Sequence, residues 1–198
     1  AMVIGIDGEL YRKGIELGAE PCAYLSGELV RLSQSVQSSF QLPQHARPYL
    51  VGFGSGAGLA FMAYSAQQQA FKGLITIHFC SRLTLSKAVC EVDAVSLRRE
   101  SENSYELLPG RPVKPFVWID AFGEQDSSCQ AKNVRNFVRD MGVGFLSELK
   151  GNDSQYESPG NWITGVWTKL LNQHAALQRE ERTESESKEI LVKAIAPE

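Results

Sequence analysis

The sequence predicts an α/β fold in which helices cover both faces of a mostly parallel β-sheet. Short apolar runs alternate with segments of helical periodicity along the chain, the pattern of consecutive strand–helix units. The runs are apolar at nearly every position, as parallel strands buried on both faces are. A glycine-rich turn, 52–56, joins one of these strands to the helix that follows it. At 198 residues the chain is long enough for one domain with a sizeable core.

The individual elements follow from periodicity and from turn residues. The predicted strands lie at 2–6, 49–53, 73–79, 115–121 and 143–149, and the predicted helices at 26–40, 56–68, 133–139 and 162–171. Asp7 and Gly8 form the turn that ends the first strand, and Ser26 is the candidate N-cap of the first helix. Residues 81–112 are predicted to be irregular, with one short strand at 105–108.

Composition excludes several classes of function. The formal net charge is -3, with no basic stripe of the kind that binds nucleic acid. No apolar run is long enough to span a bilayer, so no transmembrane segment is expected. No C-x-x-C pair or histidine cluster has the spacing of a metal site, and no phosphate-binding P-loop motif occurs. We therefore expect no metal and no cofactor.

The four cysteines, Cys22, Cys80, Cys90 and Cys129, leave two interpretations open. An even number fits two disulfides and an oxidising compartment, whereas four buried thiols would be the alternative. Three pairings are possible. The pairing of Cys80 with Cys90 and of Cys22 with Cys129 is favoured, because Cys80 and Cys90 flank one short loop.

Composition also predicts the domain organisation. Residues 1–177 are expected to form the domain, and the segment 178–198 begins with an almost wholly polar run that is typical of a linker. The run then becomes strand-like, which suggests that the linker leads towards a second domain. The opening strand at 2–6 similarly suggests that further strands of the sheet precede residue 1.

The turn at 52–56 has the pattern of a nucleophile elbow, the strand–turn–helix motif of α/β-hydrolases. In G-x-S-x-G the nucleophile is the central residue, and the turn is so tight that the residues two before and two after it must be small. The frame that obeys this rule is Gly52-Phe53-Gly54-Ser55-Gly56, whose apex is Gly54. A frame centred on Ser55 would put Phe53 two positions before the apex, where its ring would clash. Ser55 is therefore expected one step into the helix.

The same turn also resembles two kinds of ligand-binding site, one for a dinucleotide and one for an anion. A G-x-G-x-x-A dinucleotide pattern begins at Gly52, but His78 and Phe79 stand where the ribose-binding acid should end the next strand, which argues against dinucleotide binding. The backbone amides of Gly54, Ser55 and Gly56 at a helix N-terminus are a candidate site for an anion such as phosphate. The alternative is that the glycines only allow the strand and the helix to pack closely.

Six motifs resemble the N-terminal, VirJ-like domain of the AcvB/VirJ family of periplasmic, virulence-associated proteins with an α/β-hydrolase fold. They are V-I-G-I-D, C-A-Y-L-S-G-E-L, V-G-F-G-S-G-A, F-C-S-R-L, W-I-D-A-F-G-E-Q-D-S-S-C and P-G-N-W, and together they extend over most of residues 3–170. All four cysteines fall at family positions, so the resemblance favours disulfides and the periplasm.

The resemblance implies hydrolysis of aminoacyl groups from aminoacylated phosphatidylglycerol by a serine, a histidine and an acid. The serine position is Gly54, the acid position is Asp126 and the histidine position is near Ser154. The chain's histidines are His45, His78 and His174, and none lies at that position; His78 is expected to be a structural residue inside a strand. Nucleophile and base are thus both missing, and Asp126 is expected to be vestigial.

The sequence therefore predicts a non-catalytic domain that acts in recognition or regulation. Its expected partners are its own C-terminal hydrolase domain and either a phospholipid headgroup or another envelope protein. The alternative is an active serine esterase or lipid hydrolase that uses Ser55 with a base from elsewhere in the chain. A third possibility is a scaffold for stability or assembly that binds no ligand.

Overall fold

The computed structural model describes residues 4–42, 46–111, 116–123, 129–142 and 144–149, together with the helical residues 168, 172 and 175. The chain divides into two compact units, Ala1–Glu157 and Ser158–Glu198, and the named helices and strands all lie in the first. The predicted domain boundary after residue 177 and most of the predicted helix at 162–171 lie outside the described residues. Both stay predictions.

The first unit alternates helices and strands. Its elements are α1 Gly8–Leu17, α2 Leu25–Ser39, β1 Tyr49–Phe53, α3 Ser55–Ala66, a short 3-10 helix Gln68–Ala70, β2 Gly73–Ile77, β3 Arg82–Thr84, β4 Val95–Ser101, β5 Ser104–Pro109, β6 Trp118–Gly123, α4 Ala131–Met141 and β7 Phe145–Leu149. The predicted strand at 49–53 and the predicted helices at 26–40, 56–68 and 133–139 are confirmed to within two residues at each end. None of the described helices is long and apolar enough to cross a membrane.

The main sheet has four strands in the order β1-β2-β6-β7, and every neighbouring pair is parallel. Their carboxyl ends therefore meet at one edge of the sheet, where α/β proteins place their functional loops. With the strand–turn–helix unit of β1 and α3 in this sheet, the fold is α/β-hydrolase-like, as predicted. Among the described strands β1 has a neighbour on one side only, and Val51 and Phe53 on it are more than half exposed.

Aromatic side chains form the core on one face of this sheet. Phe61 of α3 lies 4.7 Å from Trp118 of β6 and 5.6 Å from Phe137 of α4, measured between ring centroids. Side chains on the opposite face are buried as well: Ile75, Ile77, Ile119 and Ala121. Side chains on both faces of β2 and β6 are thus buried, as the apolar runs of these strands predict.

Two buried hydroxyl groups make three hydrogen bonds at the centre of the sheet. The Thr76 hydroxyl donates a hydrogen bond to Asp120 Oδ1 at 2.7 Å and accepts one from the indole N–H of Trp118 at 2.8 Å. The Tyr64 hydroxyl accepts a hydrogen bond from the backbone N–H of Val117 at 3.0 Å, and burial raises the pKa of Tyr64. Such groups need these partners, because a buried polar atom left unpaired costs about 1–3 kcal/mol.

A second, antiparallel sheet with the strand order β3-β5-β4 is inserted between β2 and β6. The prediction that 81–112 is irregular was therefore wrong, although the short strand predicted at 105–108 lies within β5. Most side chains of β4 are exposed, so its sequence V-S-L-R-R-E-S lacks the apolar run by which the buried strands were recognised. An antiparallel sheet can face water on one side in this way.

The N-terminal segment is helical where a strand was expected. Residues 4–6 form no strand, and α1 begins after Asp7, whose carboxylate accepts the N–H groups of Glu9 and Leu10, both at 3.0 Å. Asp7 therefore starts a helix by capping it instead of ending a strand. The prediction of Ser26 as an N-cap was also wrong, because α2 begins one residue earlier than expected and Tyr24 is its N-cap.

Glu16 connects the end of α1 to the inserted segment. Its carboxylate accepts a hydrogen bond from the backbone N–H of Ser86 at 3.1 Å, and Arg12 lies 3.4 Å away. The Ser86 hydrogen bond, together with the Arg12 charge, holds the pKa of Glu16 below its ordinary value. These contacts stabilise the ionised form.

The cysteines form two disulfides, as predicted, but the predicted pairing was wrong. The bonds join Cys22 to Cys90 and Cys80 to Cys129. A parallel bridge between the residues next to the first pair, 23 and 89, brings those two cysteines side by side. Cys80 and Cys129 each follow one of two adjacent parallel strands, β2 and β6, so both come to the carboxyl edge of the sheet. Closeness in sequence predicted the wrong pairs, because the order of the strands in the sheet decides which cysteines meet.

Candidate functional site

The turn between β1 and α3 is a single residue, Gly54. Its φ of 55° and ψ of -121° are a conformation that residues with a side chain rarely adopt. The Gly54 N–H donates to the carbonyl of Ile77 at the end of β2 (2.9 Å), and its own carbonyl accepts the N–H of Ala57 (3.0 Å). This is the tight strand-to-helix turn that the sequence pattern predicts, and the residue at its apex carries no side chain.

The two neighbouring glycines differ in what they allow. A Cβ placed on Gly52 would lie 2.6 Å from both the Cα of Ala57 and the carbonyl oxygen of Gly56. No atom lies within 4 Å of a Cβ placed on Gly56. The small-residue requirement is therefore strict two positions before the apex, whereas the surroundings of Gly56 would accept a methyl group.

Ser55 is the first residue of α3 and its side chain is exposed. The structure thus places it one step into the helix. Phe53, the residue that a frame centred on Ser55 would put at the collision position, is the last residue of β1 and is 55% exposed. The elbow consequently presents a serine hydroxyl beside its apex and none at the apex.

His78 lies nearer to the elbow than the sequence suggested. It follows β2 directly, and the carbonyl just before it, of Ile77, receives the Gly54 N–H. Its side chain is 7% exposed and its ring meets that of Phe53 edge-on at 5.4 Å. Its φ of 59° is unusual for a residue other than glycine. The prediction that His78 lies inside a strand was therefore wrong, because β2 ends at Ile77. Nothing in the sequence signals this backbone conformation, since His78 stands within the run of residues that predicts the strand.

The other predicted site residues lie outside the described residues. They are Asp126, Ser154, His45 and His174. Asp126 belongs to the segment that follows β6 and Ser154 to the segment that follows β7, so the chain order matches the order of acid and base in α/β-hydrolases. The roles assigned to these positions stay predictions.

The N-terminus of α3 at the elbow carries a partial positive charge that favours an anion. The amides of Gly54, Ser55 and Gly56 lie at the positive end of the α3 dipole. The Gly54 N–H already donates to the Ile77 carbonyl, so of the three predicted donors the N–H groups of Ser55 and Gly56 are the ones left for an anion. Anion binding at these three residues stays a prediction.

Metal ligands are not clustered in the part of the chain that the structure describes, where no group of three or more histidine, cysteine, aspartate or glutamate side chains converges. Among the described residues, the groups at the elbow that can take part in chemistry include backbone amides, the Ser55 hydroxyl and the His78 imidazole.

Comparison with protein-family models and with curated proteins gives no match. Among solved structures, the chain is similar to Est1E from Butyrivibrio proteoclasticus, with a TM-score of 0.43 and 11% sequence identity. The similarity covers 72% of this chain and 67% of that chain. A likeness of this extent assigns neither a reaction nor a substrate.

Proposed function

We propose that this chain is a non-catalytic α/β-hydrolase-like domain that acts in recognition or regulation. The observation that carries the proposal is Gly54 at the apex of the elbow, where a serine hydrolase holds its nucleophile. Without an oxygen at that position no acyl-enzyme can form there. Removing the nucleophile from a serine hydrolase costs about six orders of magnitude in kcat, so residual chemistry at the elbow would be negligible.

The resemblance to the AcvB/VirJ family supplies the finer part of the proposal. In that setting the domain would be periplasmic and would serve a C-terminal domain that hydrolyses aminoacylated phosphatidylglycerol. The two disulfides support an extracytoplasmic location, because such bonds persist in oxidising compartments. A phospholipid headgroup or an envelope protein would be the ligand to be recognised.

The first experiment measures ester hydrolysis by the purified chain with its disulfides intact. We expect no turnover of p-nitrophenyl butyrate above the buffer rate, and the same result for Ser55→Ala. Turnover that is lost in Ser55→Ala would overturn the proposal in favour of an active serine esterase. In that case His78→Gln identifies the base, since His78 is the described histidine at the same edge of the sheet.

The second experiment addresses recognition. Glycerophosphoglycerol, the headgroup without its acyl chains, is titrated into isotopically labelled protein while the amide resonances of Gly54, Ser55 and Gly56 are followed. Saturable shifts at these amides would support headgroup recognition at the elbow. Their absence up to tens of millimolar would remove the headgroup and leave protein recognition, which binding to the separately expressed C-terminal domain then tests.

A further inference from the structure

A strained residue and a disulfide lie next to each other at the carboxyl edge of the main sheet. His78 has a φ of 59°, in the left-handed region that disfavours residues with a side chain. Cys80, two residues further along the chain, is bonded to Cys129. A strained backbone conformation persists only where the surrounding structure holds it. The contacts on either side of His78 therefore decide whether it keeps this conformation.

Hydrogen bonds hold the chain on the N-terminal side of His78. Its own N–H donates to the carbonyl of Ala121 in β6 at 3.0 Å. The carbonyl of the preceding residue, Ile77, accepts the N–H of Gly54 at the elbow at 2.9 Å. On the C-terminal side, the disulfide at Cys80 restrains the chain. The strained residue thus lies between hydrogen bonds to the sheet and a covalent bond that a reductant can open.

The other disulfide has backbone support of its own. Cys22 and Cys90 flank the parallel bridge between Ala23 and Val89. There the Ala23 N–H donates to the Ala88 carbonyl at 2.7 Å, and the Cys90 N–H donates to the Ala23 carbonyl at 3.2 Å. These hydrogen bonds keep the two cysteines adjacent after reduction. A thiol pair held adjacent has a high effective concentration and re-forms its disulfide readily.

Cys80 and Cys129 lie beyond the ends of their strands. β2 ends at Ile77 and β6 at Gly123, so strand pairing does not extend to either cysteine. Cys129 precedes Gln130, the N-cap of α4, which makes no side-chain cap hydrogen bond. Both cysteines are partly exposed. The sheet therefore supports this disulfide less directly than the bridge at Ala23 supports the other one.

We propose that the Cys80–Cys129 disulfide is a redox switch for the carboxyl edge, with His78 as the residue that changes conformation. The reductant is a dithiol. One of its thiolates attacks one of the two sulfurs and forms a mixed disulfide, and the other cysteine leaves as a thiolate. The second thiol of the reductant then closes its own disulfide and releases the remaining cysteine. Two electrons and two protons pass from the dithiol to the cysteine pair, which ends as two thiols.

Opening the disulfide releases the C-terminal side of His78 and allows its φ to become negative. Its ring, which meets that of Phe53 edge-on at 5.4 Å, then leaves the elbow. The change stays local because Phe79 is fully buried, with its ring 4.9 Å from that of Phe61. Redox switches act in this way, by biasing one element that has two conformations. The inference is independent of the proposed function, since it concerns the structure of the edge and no ligand.

The first test compares how easily the two disulfides open. The disulfide-intact chain is equilibrated with mixtures of reduced and oxidised dithiothreitol, and the free thiols are alkylated and located by mass spectrometry. We expect Cys80–Cys129 to open at a ratio of reduced to oxidised reductant at least tenfold lower than Cys22–Cys90. Opening of both disulfides at one ratio, or of Cys22–Cys90 first, would refute the switch.

Variants then test the connection to strain. His78→Gly removes the strain that opening relieves, so the ratio needed to open Cys80–Cys129 should rise by a factor of about 5–30. The matched control is Gln41→Gly, because Gln41 at the end of α2 is the other described non-glycine residue with positive φ, 54°. It should leave that ratio unchanged. An unchanged ratio in His78→Gly, or an equal rise in both variants, would contradict the role of His78.

NMR spectra of the wild type with Cys80 and Cys129 alone reduced and alkylated show what opening does. We expect the amide resonances of Gly54 and His78 to shift, while the indole resonance of Trp118 in the core stays in place. Cys80→Ser/Cys129→Ser should reproduce these shifts without the alkylating groups. Cys22→Ser/Cys90→Ser should leave Gly54 and His78 unchanged. Unchanged resonances at His78 in the open state, or loss of the folded spectrum on opening, would reduce the bond to a structural cross-link and refute the proposal.

Discussion

Replacing each glycine of the elbow by alanine, one at a time, tests the frame of the turn. For Gly52→Ala the new Cβ would lie 2.6 to 2.8 Å from three atoms, two of them backbone atoms of α3 that cannot rotate away. Overpacking of a rigid site costs about 1–3 kcal/mol, and we expect the upper end here because β1 must separate from α3. For a chain of this size that lowers Tm by about 6–12 °C.

The two other glycines should respond differently. Gly54→Ala meets no atom within 4 Å, and its cost arises from the positive φ alone, about 1–2 kcal/mol. Gly56→Ala lies in open space within a helix, where alanine is favoured over glycine by up to about 1 kcal/mol. From most to least stable, the expected order is therefore Gly56→Ala, wild type, Gly54→Ala and Gly52→Ala.

Thermal unfolding followed by circular dichroism measures this order, with reversibility checked by a second scan. A neutral Gly52→Ala would refute the frame, because it would mean that the residue two positions before the apex does not face α3. A Gly56→Ala as harmful as Gly52→Ala would place the apex elsewhere. Gly54→Ser should match Gly54→Ala in stability, since the space around the apex is open.

Three further variants test contacts away from the elbow. Thr76→Val should cost about 2–4 kcal/mol, because its carboxyl and indole partners each lose a hydrogen bond in the core, whereas Thr84→Val on an exposed strand position should change stability little. Tyr64→Phe should cost about 1–3 kcal/mol through the backbone N–H that it leaves unpaired; a neutral result in urea unfolding would contradict that contact. The lowered pKa of Glu16 means that its stabilising contribution is present above its ordinary value of 4.5 and is lost as the pH falls through the folded pKa. The difference in Tm between wild type and Glu16→Gln should thus be seen at pH 7 and vanish in acid, and an unchanged difference at pH 3 would contradict it.

The main sheet could be predicted because its strands are short apolar runs, and its two central strands, β2 and β6, are buried at every position. The run at 49–53 matches β1, and the runs at 73–79 and 143–149 contain β2 and β7. In each of them the local sequence and the tertiary environment favour the same structure. Helix ends were less predictable, since Ser26 has the right chemistry for a cap but lies one residue inside α2.

The inserted sheet and the disulfide pairing depend on contacts between distant parts of the chain. In β4, Arg98 and Arg99 and their neighbours give a polar segment that becomes a strand only because β5 folds back on it. Likewise Cys80 pairs across the edge of the sheet with Cys129, a contact that strand order creates and sequence distance hides. Residues 4–6 show the converse, because Ile4 and Ile6 have a strand-like pattern yet are each 46% exposed and join no described strand.

The elbow is predictable in part. Its backbone geometry depends on residues close together in the sequence, whereas its chemistry depends on residues from distant parts of the chain. The contact that fixes the frame joins Gly52 to Ala57, five residues apart, so steric reasoning from the sequence was sufficient to place Gly54 at the apex. A slip of one residue would bring Phe53 to a position that rejects even a methyl group, and Ser55 therefore cannot reach the apex by a small adjustment. A base for Ser55 would have to come from segments that follow other strands. His78, which follows β2 and contacts Phe53, shows that a histidine can lie beside the elbow without a sequence motif. The absence of a side chain at the apex can thus be inferred from the turn alone, whereas any chemistry beside the apex has to be measured.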